Sequence, residues 1–200
     1  MNEEKAPYHH GDLRAALIRA AEAELSDTGV EGFSLRSVAK RVGVSHSAPA
    51  HHFGDVQGLL MALAAEGFRR FRAAMLARQQ AAPDDPRDRL VASGHGYLDF
   101  AEASPALFRL MFTSNRVKEP SSELAEASDA AFQHLVDDVA RLRGVSPYED
   151  ESAMADVVAC WSMVHGFSEL YLSGRLAPVE DMPNPEREAL LTRLLLPILA

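Results

Sequence analysis

The chain has 200 residues, 47% of them hydrophobic and 24% charged, with a formal net charge of −9. This is the balance of a folded protein of one large or two small domains; it excludes a disordered chain and a protein that coats nucleic acid through bulk positive charge. A single cysteine, Cys160, cannot form an internal disulfide and leaves no partner for a structural zinc site.

In chain order, the first ten residues carry acids and Pro7 where a signal peptide is basic and then apolar, so the expected location is cytoplasmic. Helical spacing follows at once. Leu13, Leu17, Ala20, Ala21 and Leu25 share one face of a first helix, which Gly29 is expected to end with a left-handed cap. Ser34 then caps a short helix with Leu35, Val38 and Ala39 turned inward, and Gly43 breaks it. Ser45 is expected to cap another, running to about His52, in which Pro49 lies near enough to the start to cost little. The pattern is helix, turn, helix.

Asp55 caps a long helix with Leu59, Leu60, Leu63, Gly67, Phe71 and Met75 at helical spacing, ending before the break Pro83-Asp84-Asp85-Pro86. Later starts are marked by a cap residue followed by proline: Asp85-Pro86, Ser104-Pro105, Ser146-Pro147, Asn184-Pro185 and, more loosely, Glu119-Pro120. Asp84, Asp85 and Asp88 read as helix-entrance charges. With Gly144 and Gly174 as stops, the sequence predicts an all-α fold of about nine helices. The last two cover 147–173 and 185–199, and Pro197 bends or ends the final one. No apolar run approaches the roughly 20 residues of a membrane helix, and no membrane partner is expected.

Charge divides the chain in two. Residues 32–54 contain no acid yet hold Arg36, Lys40, Arg41, His46, His51 and His52, whereas nearly all of the net negative charge falls after residue 53. The histidines read as solvated or DNA-facing rather than as a metal site, because the segment supplies no Cys, Asp or Glu to complete one.

Several separated elements carry a resemblance. Tyr8-His9-His10-Gly11-Asp12-Leu13-Arg14, Gly32-Phe33-Ser34-Leu35-Arg36-Ser37-Val38-Ala39, Gly43-Val44-Ser45, His52-Phe53 and Leu59-Leu60 resemble, in order and spacing, the DNA-binding domain of the tetracycline-repressor (TetR) family. Trp161-Ser162-Met163-Val164-His165-Gly166 is similar to the Trp-x-x-x-His-Gly signature of one C-terminal group within it. The resemblance implies a bacterial repressor with a three-helix head over residues 1–55 and a ligand-binding and dimerisation domain over 56–200. Its implied partners are double-stranded operator DNA, a small-molecule effector and a second copy of the chain, paired through the last two helices. Half-sites of such dimers lie roughly 34–36 Å apart or a multiple of that. No cofactor, metal or catalysis is implied.

On that mapping, Ser45, His46, Ser47, Ala48 and His51 face base edges and flanking phosphates, with His52 and Phe53 packing or touching backbone. Ser34 suits a phosphate because its hydroxyl and free amides converge at a helix start, and Arg36 reinforces it. Two departures stand out. Ala50 replaces a common tyrosine and Gln57 a lysine near the start of the fourth helix, both usually phosphate contacts. They keep open a second reading, a binding module of the same fold with weak or lost DNA binding.

For the effector, Trp161 and His165 share one helical face and read either as pocket lining or as a packed aromatic with a hydrogen-bonded imidazole. Tyr97, Phe100, Phe108, Met111 and Phe112 read first as core, and the resemblance adds a pocket role for them. Phe71 and Met75 place the long fourth helix between head and pocket. Met and Phe suit an adaptable apolar or amphipathic ligand. Cys160 reads as a buried thiol. Ser162, Gly166 and Ser173 would let another helix approach closely. No His-Glu-x-x-His, Gly-rich phosphate loop or Gly-x-Ser-x-Gly is present to support an enzyme.

Overall fold

Caps and breakers divide the described residues into ten helices, with no strand among them. The structure is a computed structural model that describes residues 10–112 and 121–199. Tyr8-His9 and Glu119-Pro120 lie outside the described residues.

Helix α1 (His10–Gly32) buries Leu17, Ala21 and Leu25 on the expected face and breaks at Gly29, whose φ of 67° and ψ of 179° suit glycine alone. Helix α2 (Leu35–Val42) starts on Ser34, whose hydroxyl accepts from Ser37 N, and ends on left-handed Gly43. Helix α3 differs from expectation: it covers Ala48–Phe53, and Ser47, not Ser45, stands at its N-cap position without a side-chain bond. Pro49 explains this. It sits in the first turn, where no intrahelical bond is lost, and its ring is buried.

Asp55 caps α4 (Val56–Ala81) through Gly58 N, and Asp85 caps α5 (Pro86–Ala103) through Arg87 N and Asp88 N. Helix α6 (Pro105–Phe112) follows Ser104 directly, and α7 (Ser122–Arg143) runs from Ser121 to left-handed Gly144. The start expected at Ser146-Pro147 is a turn instead. Asp150 caps α8 (Glu151–Leu172) through Ala153 N, because its carboxylate is the acceptor aligned with the free amides. The tenth helix beyond the expected nine is the short α9 (Ala177–Glu180). Helix α10 (Asn184–Leu195) ends before the turn containing Pro197.

Helix α4 is the spine. It packs along α5 and α7 and also touches α1, α3 and α6. Leu59, Leu60 and Leu63 are fully buried, each gaining about 1.5–3 kcal/mol relative to exposure. Helices α4 and α5 approach closely at Gly96 on α5, where a Cβ would come within 2.5 Å of the Ala74 carbonyl oxygen and 2.6 Å of Met75 Cα on α4. No helix among the described residues is long and apolar enough to cross a membrane.

Candidate functional site

Two features carry functional chemistry. The first is the exposed surface of α2, α3 and the turn between them. Arg36, Lys40, Ser45, His46, Ser47 and His51 are exposed, while Ser34, Ala48 and His52 are half-buried. His52 packs against Phe53, with ring centroids 6.1 Å apart. Ser34 Oγ lies 2.8 Å from Ser37 Oγ while accepting from Ser37 N, so its hydroxyl caps the helix. Arg41 is turned away from the patch. Its Nε reaches Glu24 and its Nη2 reaches Asp27, each at 2.6 Å, so α1 supplies the acids that the segment itself lacks. That leaves Arg36 and Lys40 as the exposed cations of α2 not tied to acids of α1. Ala50 is half-buried and Gln57 exposed, where the resemblance would place phosphate contacts. Among the described residues no cluster of three His, Cys, Asp or Glu could hold a metal ion.

The second feature is a cavity of about 440 Å³ enclosed by α4, α5, α6, α7, α8 and α10, within the size range of drug-sized ligand sites. Of the residues expected at a pocket, Phe71, Met75, Tyr97, Phe112 and Trp161 line it, and Phe100, Phe108, Met111 and His165 do not. Those four sit behind the wall. Phe108 is fully buried, Phe100 stacks edge-on against Phe71 at 5.5 Å, and Met111 fills the space above Gly67. His165 lies behind Tyr97, with its Nδ1 2.7 Å from the phenol oxygen.

That pair has one consistent protonation. Burial pushes the Tyr97 hydroxyl well above its ordinary value, an effect the Trp161 indole partly offsets. Burial also lowers His165, against the weaker opposing pull of Glu169. The phenol therefore donates to a neutral imidazole.

The lining also includes residues that sequence reasoning missed. Phe132, Ser128, Asp129 and Leu135 come from α7, Leu90 and Ser93 from α5, and Leu195 from α10. Their signal was the spacing of 128, 131, 132 and 135 on one helical face, visible only once α7 was known to pack on α4. Cys160 lines the cavity too, and burial pushes its thiol up to about 11, which keeps it unreactive at neutral pH.

Ion pairs tie the helices of the first feature to those of the second. Arg70 on α4 reaches Glu22 on α1 at 2.7 Å and Ser104 Oγ at 3.1 Å. Glu123 in the first turn of α7 receives Arg14 of α1 and Arg69 of α4, each at 2.8 Å.

Comparison with known proteins gives this architecture a family. Residues 90–196 match the tetracyclin repressor-like C-terminal domain, and residues 17–63 match the bacterial regulatory proteins of the tetR family. The chain is similar to the HTH-type transcriptional regulator BetI of Stenotrophomonas maltophilia (strain R551-3), 32% identical over 122 residues, covering 61% of this chain and 62% of that one. The BetI of Burkholderia mallei (strain NCTC 10229) is 36% identical over 110 residues, 54% of this chain and 56% of the relative. The match thus spans about three-fifths of these curated relatives' lengths. Among solved structures, a protein of unknown function from Rhodococcus sp. RHA1 aligns with a TM-score of 0.79 and 32% identity, covering 96% of this chain and 97% of that one. A TetR family regulator from Marinobacter aquaeolei VT8 shares the fold, with a TM-score of 0.67 at 19% identity over 92% and 94% of the two chains. With more than half of its length matched by the C-terminal domain and the helix-turn-helix matched before it, the chain belongs to the TetR family of bacterial transcriptional regulators.

Proposed function

We propose that the chain is a homodimeric repressor whose head, residues 1–55, grips a palindromic operator, and whose remainder, residues 56–200, binds an apolar or amphipathic effector that releases it. The observation that carries this reading is the course of α4. It packs with α1 and α3 of the head, and its Phe68, Phe71 and Met75 form cavity wall. A ligand that prefers one tilt of α4 shifts the population of head spacings, converting binding energy into a geometric change. The head then reads DNA through Ser45, His46, Ser47, Ala48 and His51, with Ser34 and Arg36 on phosphates. Trp161, at the cavity, and His165, holding Tyr97, give the Trp-His-Gly run its role in the effector site.

The dimer reading is supported by the outer face of α8. Val158 and Leu170 are 53% and 43% exposed, and Gly166 leaves open space where a side chain would stand. Leu196 at the end of α10 is exposed as well, and exposed apolar residues on both helices suit a two-fold pairing of the last long helices.

The test is fluorescence anisotropy on DNA from the region upstream of the chain's own gene, against scrambled DNA, at about 150 mM salt. A preference of roughly a thousandfold or more supports the reading. Equal binding of both DNAs favours instead the second reading, a binding module of this fold, which rests on Ala50 and Gln57 replacing phosphate contacts.

A further inference from the structure

We propose that the cavity selects a cation: an apolar molecule carrying one amine or quaternary ammonium group, with the charge held at the mouth between Asp129 and the rings of Phe132 and Trp161. This rests on the cavity being the effector site and names the ligand class it takes.

The argument starts with what lines the cavity. Asp129 is its one charged residue among the described residues, with no Lys, Arg or His in the wall. The remaining surface is aromatic or aliphatic, apart from the hydroxyls of Ser93, Ser128 and Tyr97 and the thiol of Cys160. Tyr97 is already hydrogen-bonded to His165. An anionic ligand entering here meets no cation and one carboxylate. A neutral ligand gains its apolar contacts and at most a hydrogen bond from Asp129.

Placement at the mouth favours a positive group. Asp129 and Trp161 are both exposed while lining the cavity, so they mark where it opens to solvent. Asp129 and Phe132 are three residues apart on α7 and share a face, and the Phe132 ring centroid lies 5.7 Å from that of Trp161 on α8. Two aromatic rings and a carboxylate one turn away at the rim suit an ammonium group, which need not be buried unpaired there. Deeper in, Phe68, Phe71 and Phe112 make edge-on contacts at 5.4 to 6.5 Å and accept an apolar body. The site is a dry chamber with a cation-selective rim.

The experiment uses the full chain and three probes of equal alkyl length: decyltrimethylammonium, decanol and decanoate, each below its micelle concentration. Trp161 is the chain's single tryptophan, so its fluorescence reports occupancy directly. The expected order is the ammonium tightest, by about tenfold over the alcohol, with decanoate weakest. Asp129→Asn should erase most of the preference for the ammonium over the alcohol. If decanol or decanoate binds as tightly as the ammonium, or Asp129→Asn keeps the preference, cation selection is overturned and the cavity reading stands. If none of the three changes Trp161 fluorescence, the cavity does not take such ligands and both readings fall together.

Discussion

Arg14 on α1 and Glu123 on α7 are joined by a 2.8 Å ion pair across 109 residues of sequence. The other oxygen of Glu123 takes Arg69 of α4. One carboxylate thus links a head helix, the spine and the helix that carries Asp129 and Phe132.

These groups are about one-third or more exposed, so the link is worth little to stability, at most about 1 kcal/mol. Its value lies in position. Glu123→Gln should leave the denaturation midpoint nearly unchanged while shifting the effector concentration for half-release of operator by about threefold or more. Urea melts and release titrations measure the two separately, and an unshifted release curve would show that the link does not transmit.

Phe71 touches Phe68, Tyr97, Phe100 and Phe112. Truncating it to alanine would cost about 3–5 kcal/mol, enough to confuse function with folding. Phe71→Leu keeps much of the volume and removes the ring. Ligand-free operator affinity should stay within about twofold of the parent while effector affinity drops about tenfold. Loss of operator affinity with a normal effector response would remove α4 from its role as transmitter.

Stability should fall as pH drops below about 6.5. His95, His134 and His165 are each held below their ordinary pKa by burial. Unfolding exposes them to water, so below the unfolded value the unfolded chain binds more protons and is favoured. Above that value all three are neutral in both states and the effect vanishes. Melting temperature between pH 8 and 5.5 tests this. His165→Asn, which keeps an acceptor for Tyr97, should remove part of the slope, and a melting temperature that rises on acidification would contradict the assignment.

Local signals account for what was legible in the sequence. Gly43, Gly144, Ser34, Asp55 and Asp85 act through their own backbone and nearest amides, and each stands where its chemistry required, whereas Gly29 kinks α1 with ψ of 179° and the helix resumes to Gly32. Ser45 and Ser146 misled for the same reason. Each had a better-placed competitor, the ring of Pro49 and the carboxylate of Asp150, and a cap is decided by that competition. The cavity was half legible, because Phe71 and Tyr97 belong to strongly patterned helices. Phe132, Asp129 and Leu195 became wall only through the packing of α7 and α10, which no local pattern encodes. Arg41 shows the same limit: its partners Glu24 and Asp27 lie on a different helix.

The contact at Gly96 has a mechanical consequence. With no side chain between them, α5 and the Ala74–Met75 turn of α4 meet backbone to backbone, so neither helix can slide past the other, and the contact becomes a pivot. From Met75 to Val56 the helix spans about 28 Å at about 1.5 Å per residue, so a tilt of about 10° displaces its far end by about 5 Å. On the proposed mechanism, a wall movement of about 1 Å at Phe71, four residues from the pivot, becomes about 5 Å at the head end of α4, a stride longer than the rise of one base pair.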